Sequence, residues 1–482
     1  LKHTLLVLTI ACFISTASAR ETGTLDLHLP EIGNSAGSVI SPLQEKRLGE
    51  AFMREVRQTL AINDDPEITD YIRTLGERLT SNSDTQGRDF NFFVVESPEI
   101  NAFAGPGGYL GVNSGLILST ESESELASVV AHEIAHVTQQ HLARSFEKAD
   151  RLSIPAMAAL AAALIIGSRS SEVGQAAVAA VQAGAAQAQI NFTRGNEEEA
   201  DRVGLQSLAR AGYDPRSMPV FFERLQQAIR FEGNQAPEFL RTHPVTSSRI
   251  ADTRNRAEQF PYRQIQDSLE YHLTRAKLRV LSEANPRISV KRFAEALKQG
   301  QYRNEQAEHY GYALALLKSG ETAEARTEAQ QLISRDKENF HYLALLAQIE
   351  MADRQSTKAL DLYGRTLELY PGNRALTLLY SQALLQAGQP DKARRLLQSH
   401  LRHRSAEPAV YQLLAQAAGR TGRQAEAHQA KAEYYYLNGQ TSAAIQQLTL
   451  ALGLKDTDFY LASQIEARLK ELKDEAAQVS KE

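Results

Sequence analysis

The sequence predicts a molecule in two parts: an α+β domain, mostly helical with a small sheet, followed by an all-α solenoid of repeated helix pairs. Three observations carry this. Two short β-rich runs, residues 90–95 and 109–112, lie among segments whose apolar residues recur at helical spacing. Ala325, Ala359, Ala393 and Ala427 are spaced by 34 residues each, a repeat confined to the second half. His132-Glu133-Ile134-Ala135-His136 sets two histidines four apart, one turn of a helix, on a common face. A chain of 482 residues has room for two or more domains. A hydrophobic fraction of 43% and a charged fraction of 23% are ordinary for a globular protein. The net charge of −5 leaves no basic footprint, which argues against a nucleic-acid partner.

The N-terminus reads as a secretory leader over residues 1–19. Lys2 supplies the positive start, residues 5–14 a short apolar run, and Ala17-Ser18-Ala19 a cleavage site before Arg20. A buried N-terminal helix is the alternative. The one cysteine, Cys12, lies inside that run, and Thr9 stands where a lipoprotein signal expects leucine. The mature chain is thus expected to be exported without disulfides, which suits a bacterial periplasm. Residues 20–42, rich in Gly, Ser and Pro, read as an extended arm.

Helices are expected over 44–62 and 66–80, then a strand at 90–95. Asn101-Ala102-Phe103-Ala104, a Gly-rich turn at 105–108 and a strand at 109–112 read as strand, turn, strand. Residues 115–118 lead into an acidic segment, 121–125, whose carboxylates suit the N-terminus of the helix that carries the two histidines. Two alanine-rich apolar stretches, 154–166 and 173–188, are split by Gly167-Ser168-Arg169-Ser170-Ser171. Each is too short to span a bilayer, and no later stretch reaches about 18 uninterrupted apolar residues. A buried helical hairpin is the plain reading; a lid or a membrane-facing hairpin, with peripheral membrane contact, is the sharper one.

The 34-residue period carries Gly320, Arg354, Gly388 and Gly422 five residues before each repeated alanine. Glycine marks the turn of a helix pair, and alanine lets the paired helices approach closely, which is the tetratricopeptide pattern. Pro371 ends one helix and Pro408 follows another. Gly439 and Ala444 repeat the pair after only 17 residues, so the last unit is irregular or shares a helix. The expected division is 20–265 for the first domain and 266–482 for the repeats.

His132 and His136 are spaced to share one tetrahedral zinc ion, and Glu133 is placed to act as general base on its water. The first domain is therefore expected to be a zincin-like metallopeptidase holding one Zn2+ per chain. A third ligand is needed, and Gly195-Asn196-Glu197-Glu198-Glu199-Ala200-Asp201 offers it. Asn196 reads as a helix cap and Glu197 as the start of that helix. Glu197 and Asp201 share a face; Glu197 is the preferred ligand, and Asp201 would orient a histidine from behind. Glu198 and Arg202 read as a solvated pair. His141, nine residues after His132 and rotated about half a turn from it on a continuous helix, reads as a surface histidine. His243, at a boundary set by Pro244, reads as a structural cap, a fourth ligand in a resting state, or a donor to the oxyanion. Arg249 would pair with Asp201 or position the site. Asn101 to Ala104 would bind an extended substrate by strand addition.

Together, the H-E-I-A-H run, the later E-x-x-x-D of Glu197 and Asp201, the Asn101-Ala102-Phe103-Ala104 segment with its Gly-rich turn, and His243-Pro244 with Arg249-Ile250 resemble the HtpX and CaaX-prenyl-protease type zinc peptidases. The resemblance implies zinc held by His132, His136 and Glu197, Glu133 as general base, and His243 as a regulatory or auxiliary residue at the metal. With a leader and tetratricopeptide repeats attached, it further implies a periplasmic metalloprotease with chaperone-like activity in outer-membrane quality control. The partners so implied are the β-barrel assembly machinery and unfolded or stalled outer-membrane proteins, including the lipopolysaccharide translocon. A monomer is expected. The alternative function is a repeat-based chaperone or scaffold with latent or minor peptidase activity. A purely structural zinc is the third; it would need closure by four ligands and no neighbouring glutamate.

Overall fold

The computed structural model describes residues 41–85, 87–146, 154–166, 194–232, 237–403 and 407–479. The leader, the arm up to residue 40 and the second apolar stretch at 173–188 lie outside these.

Helix α1 (Pro42–Thr59) opens on a capping box in which Ser41 and Gln44 exchange hydrogen bonds. It stops three residues short of the expected end, because Ile62 leaves the helix to bridge Val95 of the sheet. Helix α2 (Pro66–Thr80) starts where Asp65 caps the N–H groups of Glu67 and Ile68. Strands β1 (Asn91–Val95), β2 (Ala102–Ala104) and β3 (Tyr109–Asn113) form a sheet in the order β1-β3-β2. β1 runs parallel to β3 and β2 antiparallel to it, so β2 is an edge. The turn between β2 and β3 needs glycine at Gly108: its φ is 72°, and a Cβ there would lie 2.0 Å from the Asp89 carbonyl oxygen.

After a short helix α3 (Ser114–Ser119), which the sequence reading treated only as a lead-in, comes α4 (Glu123–Thr138) with His132 and His136. Ser122 caps it by accepting from the Glu125 N–H. Almost every residue of α4 is buried, which fits its weak separation of polar and apolar faces. It packs on α2, on the sheet and on α7 (Arg194–Arg210). Gly204 allows the last contact, since a Cβ there would press on the Ala131 carbonyl and His132 nitrogen at 3.1 Å. Between α4 and α7 lie α5 (His141–Phe146) and α6 (Ile154–Ile166). Ala158, Ala161 and Ala162 of α6 are buried with Phe52 and Val56 of α1, so this first apolar stretch is packed against the domain. No helix of the described residues is long and apolar enough to cross a membrane. Helices α8 (Ser217–Glu232), α9 (Glu238–Thr242) and α10 (Ser247–Ala257) complete the domain.

Helix α11 (Leu269–Leu281) belongs to both halves. Tyr271 and Leu278 join the first domain's core, while Leu273, Ala276 and Val280 join the core of the repeats. The solenoid continues as α12 (Pro286–Gln299), α13 (Glu305–Ser319), α14 (Thr322–Arg335), α15 (Phe340–Ala352), α16 (Ser356–Leu369), α17 (Arg374–Gln386), α18 (Pro390–Leu401), α19 (Pro408–Arg420), α20 (Gln424–Leu437), α21 (Thr441–Leu452) and α22 (Phe459–Val479). Ala325, Ala359 and Ala393 are fully buried between paired helices, and Ala427 is half-buried. Gly320, Gly388 and Gly422 turn with positive φ, and Arg354, the imperfect copy, adopts φ of 59° in their place. Helix α20 packs on both α19 and α21.

The solenoid curls around α1 and α2. Lys277 of α11 pairs with Asp65, at 2.7 Å, and with Glu67. His341 Nδ1 lies 2.7 Å from Glu67, and Arg374 reaches Asp70 at 3.0 Å and Glu407 at 2.7 Å. At the far end the Arg54 guanidinium stacks on Tyr436 and bonds Glu475 at 2.7 Å.

Candidate metal centre

Helix α4 aims His132, Glu133 and His136 at one point, and α7 brings Glu197 and Asp201 from the opposite side. Asn196 is the third residue of α7 rather than its cap. The peptide after α9 supplies His243, whose N–H closes α9 on the Phe239 carbonyl at 2.8 Å and whose ring stacks on Phe239. His132, Glu133, His136, Glu197, Asp201, His243 and Arg249 are each at most 2% exposed. So many dry charges must be compensated from within.

One ligand atom each from His132, His136, Glu197 and His243 lie within 4.8 Å of one another. His132 Nε2 is 3.0 Å from His136 Nε2 and 3.4 Å from His243 Nδ1. Glu197 lies 3.5 Å from His132 Nε2, 3.4 Å from His136 Nε2 and 3.0 Å from His243 Nδ1. Donors about 2.0–2.1 Å from a tetrahedral ion stand about 3.3 Å apart, so these separations fit a zinc-sized cation. Charge points the same way. Glu197 and Asp201 share one guanidinium, Arg249, and Glu133 lies 3.4 Å from His243, so a cation at the donor set would stand among three buried acidic groups. The residues therefore fit a metal ion.

Asp201 stands behind His132, its Oδ1 2.9 Å from Nδ1. Arg249 grips Asp201 with Nε and a terminal nitrogen at 2.7 and 2.8 Å, and its other terminal nitrogen is 2.7 Å from Glu197. The sequence reading offered Arg249 one carboxylate; it holds two. Against the pull of burial, hydrogen bonds to Asp201 and Glu197 push the His132 imidazole up to about 9. A cation at the donor set would compete with a proton on this imidazole. Burial and the neighbouring His132 hold His136 well below the ordinary histidine value, the unprotonated form a ligand needs. Burial pushes the Glu133 carboxyl up.

Glu133 accepts a hydrogen bond from the Ala104 backbone N–H, which ties the base to the edge strand. Asn101 and Gly105 bond to β3, so Ala102 and Ala104, of opposite parity, turn their backbone groups to the free edge. The side chains of Asn101, Ala102 and Phe103 are buried, leaving the backbone to meet a substrate. His243 Nε2 lies 3.4 Å from Glu133, so this ring stands between the donor set and the base.

His141 corrects the sequence reading. It is fully buried, with Nδ1 2.8 Å from His136 Nδ1 and Nε2 3.1 Å from Glu199. The half-turn rotation assumed an unbroken helix, but α4 ends at Thr138 and Gln140 adopts φ of 57° before α5 begins at His141. Glu199 and Phe239 were also missed. Glu199 was hidden in an acidic run whose partners lie far away in sequence, and nothing in the sequence singles out Phe239.

A dry pocket of imidazoles and carboxylates on an H-E-x-x-H helix defines a metallopeptidase. Residues 66–257 match Peptidase family M48, and residues 350–417 match a tetratricopeptide repeat family. The beta-barrel assembly-enhancing protease of Escherichia coli (strain K12) is 34% identical over 445 residues, 92% of this chain and 91% of that protein. The putative beta-barrel assembly-enhancing protease of Vibrio cholerae is 37% identical over 471 residues, 98% of this chain and 96% of that one. The mitochondrial metalloendopeptidase OMA1 of Bos taurus is 31% identical over 260 residues, 52% of this chain and 48% of that protein. The chain belongs to the family of beta-barrel assembly-enhancing proteases. It is a metalloendopeptidase with a tetratricopeptide solenoid.

Proposed function

We propose that this chain is a zinc metalloendopeptidase of the periplasm that degrades misassembled outer-membrane β-barrel proteins and promotes the assembly of others in a chaperone-like way. The observation that carries the reading is the convergence of four donors beside a buried glutamate and a strand edge. The names of its relatives support the outer-membrane setting. The repeats serve as the docking module for the β-barrel assembly machinery and stalled substrates, including the lipopolysaccharide translocon, and the protein works as a monomer.

In this reading His132, His136 and Glu197 hold the zinc, which when bound polarises a scissile carbonyl and acidifies water. Glu133 takes the proton from that water and passes it to the leaving amine. Asp201 fixes His132 from behind, and Arg249 offsets Asp201 and Glu197. An extended substrate pairs with the outward backbone groups of Ala102 and with the Ala104 carbonyl. His243 lies within the donor set and against Glu133, where substrate must enter. That position favours a latent resting state with His243 as fourth ligand over an oxyanion donor, and it gives the scaffold reading its footing.

The test is cleavage of an unfolded outer-membrane barrel protein by wild type, Glu133→Gln and His243→Ala, with bound metal quantified. Glu133→Gln is expected to lose about 10²–10⁴-fold in kcat while keeping its metal. His243→Ala is expected to keep its metal and cleave faster. Metal retained with no cleavage by any of the three would replace the protease reading with the chaperone one. Loss of metal and stability in His243→Ala would make the zinc structural.

A further inference from the structure

The two histidines of the H-E-x-x-H helix are supported from behind in different ways. His132 Nδ1 meets a carboxylate, Asp201, locked by a buried guanidinium. His136 Nδ1 meets a second imidazole, His141, at 2.8 Å. The other nitrogen of that imidazole, Nε2, is 3.1 Å from Glu199 Oε2. The Arg144 guanidinium lies 3.7 Å from the same oxygen. Burial falls steadily along this line: His136 and His141 are buried, Glu199 is 30% exposed and Arg144 45% exposed.

Hydrogen-bond direction is fixed by chemistry. A carboxylate only accepts, so His141 donates from Nε2 to Glu199. A neutral imidazole carrying its hydrogen on Nε2 accepts at Nδ1. His136 then donates from Nδ1, so its Nε2, which lies 3.0 Å from His132 Nε2 and 3.4 Å from Glu197, carries no hydrogen and faces the donor set. Both tautomers follow from the one carboxylate at the end of the line.

We infer that His141, anchored by Glu199, is a positioning residue that fixes the tautomer and ring orientation of His136 for metal binding. This rests on the reading that His136 is a metal ligand. His141 touches neither substrate nor reacting atoms; it acts through His136. The break after Thr138 is what makes this possible. With Gln140 in a left-handed conformation the chain doubles back, and His141 comes to rest against the ligand. An imidazole between ligand and carboxylate spreads the carboxylate's influence over a longer path than Asp201 has toward His132. The two metal histidines are consequently unequal, and His136 is the one whose support reaches the surface.

The test measures Zn2+ affinity of the full mature chain by competition with a chromogenic chelator, with far-UV circular dichroism as the check on fold. His141→Ala is expected to weaken Zn2+ binding about 10–100-fold, the usual effect of removing an outer partner of a metal histidine. His141→Asn is expected to stay within about threefold of wild type, because its amide oxygen can take the place of Nδ1 as acceptor. Glu199→Ala is expected to fall between them, and the half-exposed site makes it the variant to rely on should His141→Ala fail to fold. Wild-type affinity in His141→Ala or Glu199→Ala would overturn the inference, as would His141→Asn binding as weakly as His141→Ala. His132→Ala separates the two levels of argument: if it binds Zn2+ as tightly as wild type, the metal site itself is misassigned, whatever His141 does.

Discussion

The metal pocket and the seam between peptidase and repeats both bury charge, and they balance it differently. In the seam each cation faces its own carboxylates: Lys277 meets Asp65 and Glu67, and Arg374 meets Asp70 and Glu407. His341 closes the set on Glu67. In the pocket Arg249 meets Glu197 and Asp201, and Glu133 meets the His243 ring at 3.4 Å. Each of these seam carboxylates touches a lysine or an arginine, whereas in the pocket His132, His136, Glu197 and His243 bring one donor atom each to within 4.8 Å of one another, an arrangement that an ion completes.

The sharpest way to break this comparison is to unbalance the seam. Glu67→Ala leaves Lys277 buried with one carboxylate fewer and His341 without its partner at that position. It is expected to cost about 3–5 kcal/mol in chemical denaturation. Metal content and cleavage per folded molecule should stay unchanged. Equal loss of metal would mean the seam and the pocket are one unit.

Acid offers a milder version. Against burial, the Lys277 ammonium and then His341 pull the Glu67 carboxyl down to about 2 from an ordinary 4.5. A group depressed in the fold contributes its stabilisation in full above the unfolded value and loses it as pH falls through the folded one. The contribution of Glu67 is therefore present above about pH 4.5 and disappears toward pH 2. Its size is at most about 3 kcal/mol. Denaturation midpoints of wild type and Glu67→Ala should converge over that window; a constant gap would contradict the assignment.

The smallest expected effect lies at the pocket's rim. Ala102→Pro removes one outward N–H of β2 and is expected to raise KM several-fold, about 1 kcal/mol, with kcat kept. Ala104→Pro removes the N–H that Glu133 accepts and should lower kcat as well. Identical kinetics for both would separate the edge strand from substrate binding.

The sequence revealed the parts of this molecule that are local. Two histidines one turn apart declare themselves within a few residues, and the repeated alanines through a regular period of 34. Ile62 and His141 did not. Ile62 is drawn from α1 by a strand more than thirty residues away, and the break after Thr138 contains neither glycine nor proline to announce it. The seam was equally hidden, because Glu67 finds Lys277 and His341 only once the solenoid has curled back on α2. No periodicity encodes a pairing at that distance.

If the four converging donors hold the proposed zinc ion through Glu197, they should do so independently of the seam. Native mass spectrometry of the wild-type chain, Glu197→Gln and Glu67→Ala after the same brief chelator treatment tests it directly. One zinc per folded chain is expected in wild type and Glu67→Ala, and none in Glu197→Gln. Zinc retained in full by Glu197→Gln, or lost alike from Glu67→Ala, would contradict it.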